Sequence, residues 1–316
     1  MRSPLRMISS LRALFFVFAV LVLAASLSAC GEDEPAVRVN FSRREEVSIP
    51  KPREDLTYAY LPQYSPAVSY LRHHRMVEHL ARATGLSIRQ MFPASFEEHM
   101  SMFGQGRIDI SYSNPFVYIK IADRYGARAF ARIVEPIGGD TFSGQIIVRA
   151  DNKEINSLED CRGKRWIATD ESSAGGYLFP LGLLWDHGLR KEDFAEVNFA
   201  GGNQERVVYA VFSGEYDIGT IRTGTLDIMR GRIPIEEIRV LAESPPYPSW
   251  VYAARGGLDP AVVEKIRTAM TALDPDVPEH KAILAPAGIL RIVPARDSDF
   301  DPVRALMDKI SGDLEG

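Results

Sequence analysis

The stretch Asp170-Glu171-Ser172-Ser173-Ala174-Gly175-Gly176-Tyr177-Leu178-Phe179-Pro180 follows an apolar run, Lys164–Ala168, and leads into a helical pattern over Gly176–His187. Strand, small-residue turn and helix in that order are one step of an α/β unit. A helix start leaves backbone N–H groups unpaired and carries roughly half a positive charge, which favours an anion. Glycine lets a ligand approach the backbone, and serine adds a donor. Three further junctions have the same character: Tyr112-Ser113-Asn114-Pro115, Gly201-Gly202-Asn203-Gln204 and Thr220-Ile221-Arg222-Thr223-Gly224-Thr225. One such turn is generic in α/β chains. Four of them, where strand ends meet helix starts in an open sheet, point to a small oxyanion or another polar solute.

Outward from these turns, strands and helices alternate in two blocks. Leu56–Leu61, Ile88–Met91 and Ile108–Tyr112 read as strands of the first. Ser65-Pro66, Ser95-Phe96-Glu97-Glu98 and Asn114-Pro115 open its helices with a capping side chain, a first-turn proline or a capping box. The second block holds strands at Gln145–Arg149, Lys164–Ala168, Glu196–Phe199, Asp217–Ile221 and Ile238–Ala242, with helices between them. Trp250–Ala254 is a further strand, and amphipathic helices follow near Pro260–Leu273 and Pro302–Ser311. The alternation predicts mainly parallel sheets flanked by helices.

The chain has 316 residues, 46% hydrophobic and 25% charged, which suits two folded units and excludes disordered and fibrous classes. Arg2, Arg6 and Arg12 precede the short apolar run Ala13–Leu23, too short to span a bilayer and read as the core of a signal peptide over residues 1–29. It ends in Leu27-Ser28-Ala29-Cys30, which looks like a bacterial lipobox; Cys30 is the expected lipidation site, and residues 30–55 are read as a tether. Without the leader, 34 basic residues stand against 42 acidic ones, a charge of −8 that argues against nucleic-acid binding. The second cysteine, Cys161, then has no partner and reads as packing. His73, His74 and His79 read as a solvated helix face without zinc-site spacing. No phosphate-binding Gly-x4-Gly-Lys loop and no Gly-x-Ser-x-Gly elbow is present, so no catalytic residue, cofactor or metal is assigned and no enzyme is expected.

Asp170 to Pro180, together with Phe194 and Phe199-Ala200-Gly201, resembles the phosphonate/phosphite/phosphate-binding family of periplasmic substrate-binding proteins. The characteristic stretch of that family is an aspartate, a Ser-Thr-Ser-Gly turn and a Tyr-Leu-x-Pro helix start. Tyr112-Ser113-Asn114-Pro115 resembles its aromatic-Gly-Asn/Pro loop, and Asp217 falls on the aspartate of Val-Asp-x-Ala. Gly219–Leu226 looks closer to relatives that serve as sensory modules of histidine kinases. The resemblance implies a two-lobed class II periplasmic-binding-protein fold with two hinge crossovers, placed near 140–143 and 243–246. Residues 56–141 and 245–316 would form one lobe and 142–244 the other. Ligand contacts are then expected from Tyr64, Tyr112, Asn114, Ser173, Ala174, Gly175, Gly176, Asn203, Asp217 and Arg222. The chain departs from the family at Ser173-Ala174-Gly175-Gly176, which lacks two hydroxyl donors, and at Asn203 or Gln204, where the family has histidine. Arg222 is the expected compensation, since a guanidinium grips an oxyanion through two parallel bonds; the alternatives are a pair with an acid such as Asp217 or Asp227, or a place on the surface. Tyr247 and Trp250 read first as hinge or core packing and second as cleft walls. The implied role is capture of a small anion by a lipid-anchored monomer of the cell envelope, for an ABC permease. The other role left open is handing a ligand-closed conformation to a signalling partner such as a sensor kinase.

Overall fold

Ser65 and Pro66 do what their order dictates: Ser65 Oγ accepts from Val68 N, Pro66 supplies the fixed first-turn φ, and the helix Pro66–Thr84 runs until Gly85, at φ 68°, turns the chain out of it. Ser95 caps Phe96–Gly104 through Glu98 N at 3.0 Å. Glu98 reaches back to Ala94 N at 2.6 Å, one residue further than a capping box requires. Asn114 caps Pro115–Tyr125 through Val117 N at 2.9 Å. The computed structural model describes residues 55–314; the leader, Cys30 and the tether up to residue 54 lie outside them. Among the described residues no helix is long and apolar enough to cross a membrane.

Strands β1 (Leu56–Tyr60), β2 (Ile88–Met91), β3 (Ile110–Ser113) and β4 (Arg128–Val134) come first. A short β5 (Thr141–Phe142) precedes β6 (Gly144–Arg149), β7 (Arg165–Ala168), β8 (Glu196–Phe199), β9 (Ile218–Arg222) and β10 (Ile238–Glu243). The chain then returns through β11 (Tyr247–Pro248) to β12 (Val251–Ala254) and ends its sheets with β13 (Arg291–Pro294). Two sheets result, in the orders β13-β4-β12-β3-β1-β2 and β10-β6-β9-β7-β8, and β5 pairs with β11 in a separate ribbon where the chain passes between them.

The sheets are mixed rather than mainly parallel. Strands joined through a helix, β1 with β2 and β3, and β7 with β8 and β9, pair in parallel, as such crossovers require. The strands that follow each pass, β6 and β12, arrive without a crossover helix and enter antiparallel to β9 and to β3 and β4. The register sets Tyr60 opposite Tyr112 and Tyr112 opposite Tyr252, so three aromatic side chains lie abreast on β1, β3 and β12. Trp166 is fully buried, its indole N–H donating to Thr220 Oγ1 at 3.0 Å. Cys161 is a buried free thiol, pushed up to about 12 by burial first and by Asp160 next, an inert packing residue.

Candidate functional site

A cavity of about 450 Å³ opens where the ends of β1, β3 and β9 approach the pass after β4. Tyr64, Tyr112, Asn203 and Arg222 line it, four of the residues expected from the sequence. Arg222, the last residue of β9, lays its guanidinium 4.8 Å over the Phe142 ring and pairs through Nη2 with Glu135 Oε2 at 2.5 Å. Asn203 caps the helix Gln204–Phe212 through Arg206 N at 3.0 Å, while Gln204 Oε1 accepts the Arg222 N–H at 3.0 Å.

Tyr60 and Tyr112 of the aromatic row line the cavity together with Trp250, and Tyr252 is buried behind them. Tyr112 stacks on Tyr252 with ring centroids 4.5 Å apart and meets Trp250 at 5.1 Å. Tyr60 stacks on His73 at 4.5 Å, and the Tyr58 hydroxyl and His73 Nδ1 lie 3.0 Å apart. His73 therefore leaves the solvated helix face expected of it. It is buried, and burial, helped by the charge on Arg72, holds its imidazole down at about 3. Burial also pushes the Tyr112 phenol well above its ordinary value and Tyr60 up to about 12. These hydroxyls act near neutral pH as donors and not as bases. Trp250 lines the cavity, and among the described residues its Nε1 finds no acceptor.

The turn that decided the fold is elsewhere. Ser173 Oγ accepts from Gly176 N at 3.1 Å and opens a single π-helical turn, Ala174–Leu178, ahead of the helix Phe179–Asp186. Ser173, Ala174, Gly175 and Gly176 are all buried and none lines the cavity. Their smallness is explained by close approach: an added Cβ would lie 2.7 Å from Arg222 Cβ at Gly175 and 2.0 Å from Thr169 Oγ1 at Gly176. Asn114 is likewise spent inside the protein, its Nδ2 donating to Ser172 O at 3.1 Å. Lys120 donates to Ser172 Oγ at 3.0 Å, and burial, with Arg124 adding, holds its ammonium down at about 8. Asp217 is removed from the cavity. It sits before the opposite end of β9, where Arg165 N, Nε and Nη2 at 2.8–3.1 Å occupy its carboxylate. The ligand role expected for it gives way to a half-buried structural pair with Arg165, and the acids offered as alternative partners of Arg222, Asp217 and Asp227, give way to Glu135.

Sequence reasoning missed Arg72 and Glu135. Arg72, inside the first helix, donates from Nη2 to Ala287 O at 2.6 Å and lies 4.7 Å over the Tyr64 ring. Glu135 follows β4 without a motif around it, so only the fold shows that both face Arg222's cavity. Tyr247 stacks on Phe179 at 4.2 Å, the packing role read for it. Among the described residues no His, Cys, Asp and Glu side chains converge in a group that could hold a metal ion.

A profile of the family described as the phosphonate periplasmic substrate-binding protein of ABC transporters matches residues 58–300. The chain is 24% identical over 277 residues to the phosphate-import protein PhnD of Mycolicibacterium smegmatis, covering 81% of this chain and 85% of that one. It is 23% identical over 193 residues to the tetrathionate sensor histidine kinase TtrS of Salmonella typhimurium, 56% of this chain and 33% of the kinase. Its fold superposes on PhnD1 of Prochlorococcus marinus, solved with methylphosphonate, with a TM-score of 0.73 at 17% identity, covering 82% and 99% of the two chains. Two sheets joined by two passes, with a cavity at their strand ends, accord with that likeness. The chain belongs to the phosphonate-binding family of periplasmic substrate-binding proteins of ABC transporters.

Proposed function

We propose that this chain is an extracytoplasmic lipoprotein, anchored through Cys30, that captures a small oxyanion of the phosphonate, phosphite or phosphate type and presents it to an ABC permease. The two lobes are taken as residues 56–141 with 245–316 and residues 142–244, closing on the solute about the β5–β11 ribbon. The observation that carries the reading is the convergence of Arg72, from the helix after β1, and Arg222, from the end of β9, on one aromatic-walled cavity. A guanidinium from each lobe gives an anion partners on both sides, and charge-assisted bonds of this kind are roughly twice as strong as neutral ones. Of the residues expected from the sequence, the cavity supports Tyr64, Tyr112, Asn203 and Arg222 as ligand contacts. The Ser173–Gly176 turn is read instead as the wedge that sets the position of Arg222.

Thermal-shift titration of the chain with phosphate, phosphite and methylphosphonate tests this, because bound ligand stabilises by RT ln(1 + [L]/Kd). Arg222→Ala is expected to remove the anion-dependent shift, whereas Cys161→Ser leaves it intact. A full shift in the arginine variant contradicts the reading. A second role, sensing, is supported by the alignment with the sensor kinase over 193 residues. Ligand-dependent crosslinking to a permease subunit or to a kinase distinguishes the two.

A further inference from the structure

The charges that face the cavity can be matched one by one. Arg72 and Arg222 are its cations, and Glu135, Glu205 and Asp227 its carboxylates. Each acid is engaged: Glu135 with Arg222 at 2.5 Å, Glu205 with Arg232 at 2.5 Å and Asp227 with Arg230 at 3.0 Å. His73 adds no charge near neutral pH, because burial keeps its imidazole unprotonated down to about 3. Arg72 is left over. Its guanidinium carries five N–H donors, one of which meets Ala287 O, and among the described residues no carboxylate pairs with it. The cavity therefore presents a single unbalanced positive charge.

Its size and walls add a second constraint. At about 450 Å³ the cavity falls in the range of roughly 300–1,000 Å³ that holds organic ligands. A bare tetrahedral oxyanion fills the space of only a few waters, each about 30 Å³. Tyr60, Tyr112 and Trp250 line the cavity with the small parts of their rings left uncovered, and Ile137 and Ile228 add apolar area at the exposed side that such an ion leaves wet. We infer that the solute is a singly charged organic oxyanion, its head held by Arg72 and its flat or apolar body laid against Tyr60, Tyr112 and Trp250. This rests on the reading of the cavity as the solute site. A doubly charged ion needs a second free cation, and taking Arg222 from Glu135 leaves a carboxylate stranded in a mostly buried place, which is costly.

Calorimetric titration of the full-length chain in mild detergent with inorganic phosphate, methanesulfonate and benzenesulfonate tests the inference. Benzenesulfonate is expected to bind at least tenfold more tightly than either of the others. Arg72→Gln is expected to lose at least tenfold of that affinity, and Arg72→Lys, which keeps the charge, to recover part of it. In alkaline buffer, where phosphate is almost wholly the dianion, phosphate binding as tightly as benzenesulfonate overturns the singly charged class while leaving anion capture standing. Equal affinity for the two sulfonates overturns the apolar body, and undiminished binding by Arg72→Gln overturns the anchor. Saturable binding of none of the three overturns the solute site itself.

Discussion

An added Cβ at Gly176 would lie 2.0 Å from Thr169 Oγ1, and the Gly176 carbonyl already accepts from Thr220 Oγ1 at 2.6 Å, so this glycine is held by the residue that follows β7 and by one on β9. Gly176→Ala is expected to destabilise the fold by about 1–3 kcal/mol through overpacking; the midpoint of denaturant unfolding should fall with little change in slope. Glu135 is the counterpart on the cavity side. Its carboxylate and the Arg222 guanidinium are 14% and 19% exposed, so each is largely desolvated and depends on the other. Glu135→Gln should cost about 3 kcal/mol of stability, the loss expected when one partner of a mostly buried pair is removed. It should also free the second guanidinium, and phosphate affinity, read by calorimetry, should rise at least severalfold. Unchanged phosphate binding in that variant would mean that Glu135 does not limit the charge the cavity accepts.

The helices and strands joined by crossovers were legible in the sequence, because their boundaries rest on local chemistry. Ser65-Pro66, Asn114-Pro115 and Gly85 act within a few residues of themselves, and the structure uses all of them. What was not legible depends on partners far along the chain. The antiparallel entry of β6 and β12 follows from where the passes deliver them, and β4 sits beside β12, and β13 beside β4, by tertiary pairing that no local period announces. The same holds for the site: Arg222 carried a signal in its strand-end turn, whereas Arg72 sits mid-helix, 215 residues from the carbonyl it bonds. The Ser173–Gly176 turn misled because small residues at a helix start serve close packing as well as they serve an anion. Asn114 links two elements at once, capping its own helix and donating to Ser172 O. Asn114→Ala should lose about 1–2 kcal/mol from the cap alone, measurable as a lower unfolding midpoint.

At the scale of the whole molecule, two buried histidines couple stability to pH. His73 and His99 are held at about 3 and about 4, in both cases by burial first. In the unfolded chain an imidazole takes up its proton near pH 6.5. Between these values the unfolded state binds more protons than the folded one, so stability falls as pH drops from about 6.5 towards 4. His99, 2.7 Å from Ser111 Oγ through Nε2, can be replaced by Gln with a donor and an acceptor retained. The slope of unfolding free energy against pH should flatten in His99→Gln, and a slope identical to that of the parent chain would remove His99 from the account.

In the proposed site Arg72, from the helix after β1, holds an anion over an aromatic floor, beside the Arg222–Glu135 pair at the end of β9. A crystal structure with 4-bromobenzenesulfonate tests this placement directly, because anomalous scattering locates bromine and sulfur separately. The sulfonate should lie within hydrogen-bond distance of Arg72, with the bromophenyl ring against Tyr112 and Trp250. A sulfonate bound instead at the Ser172–Gly176 turn, or outside the cavity altogether, would contradict it.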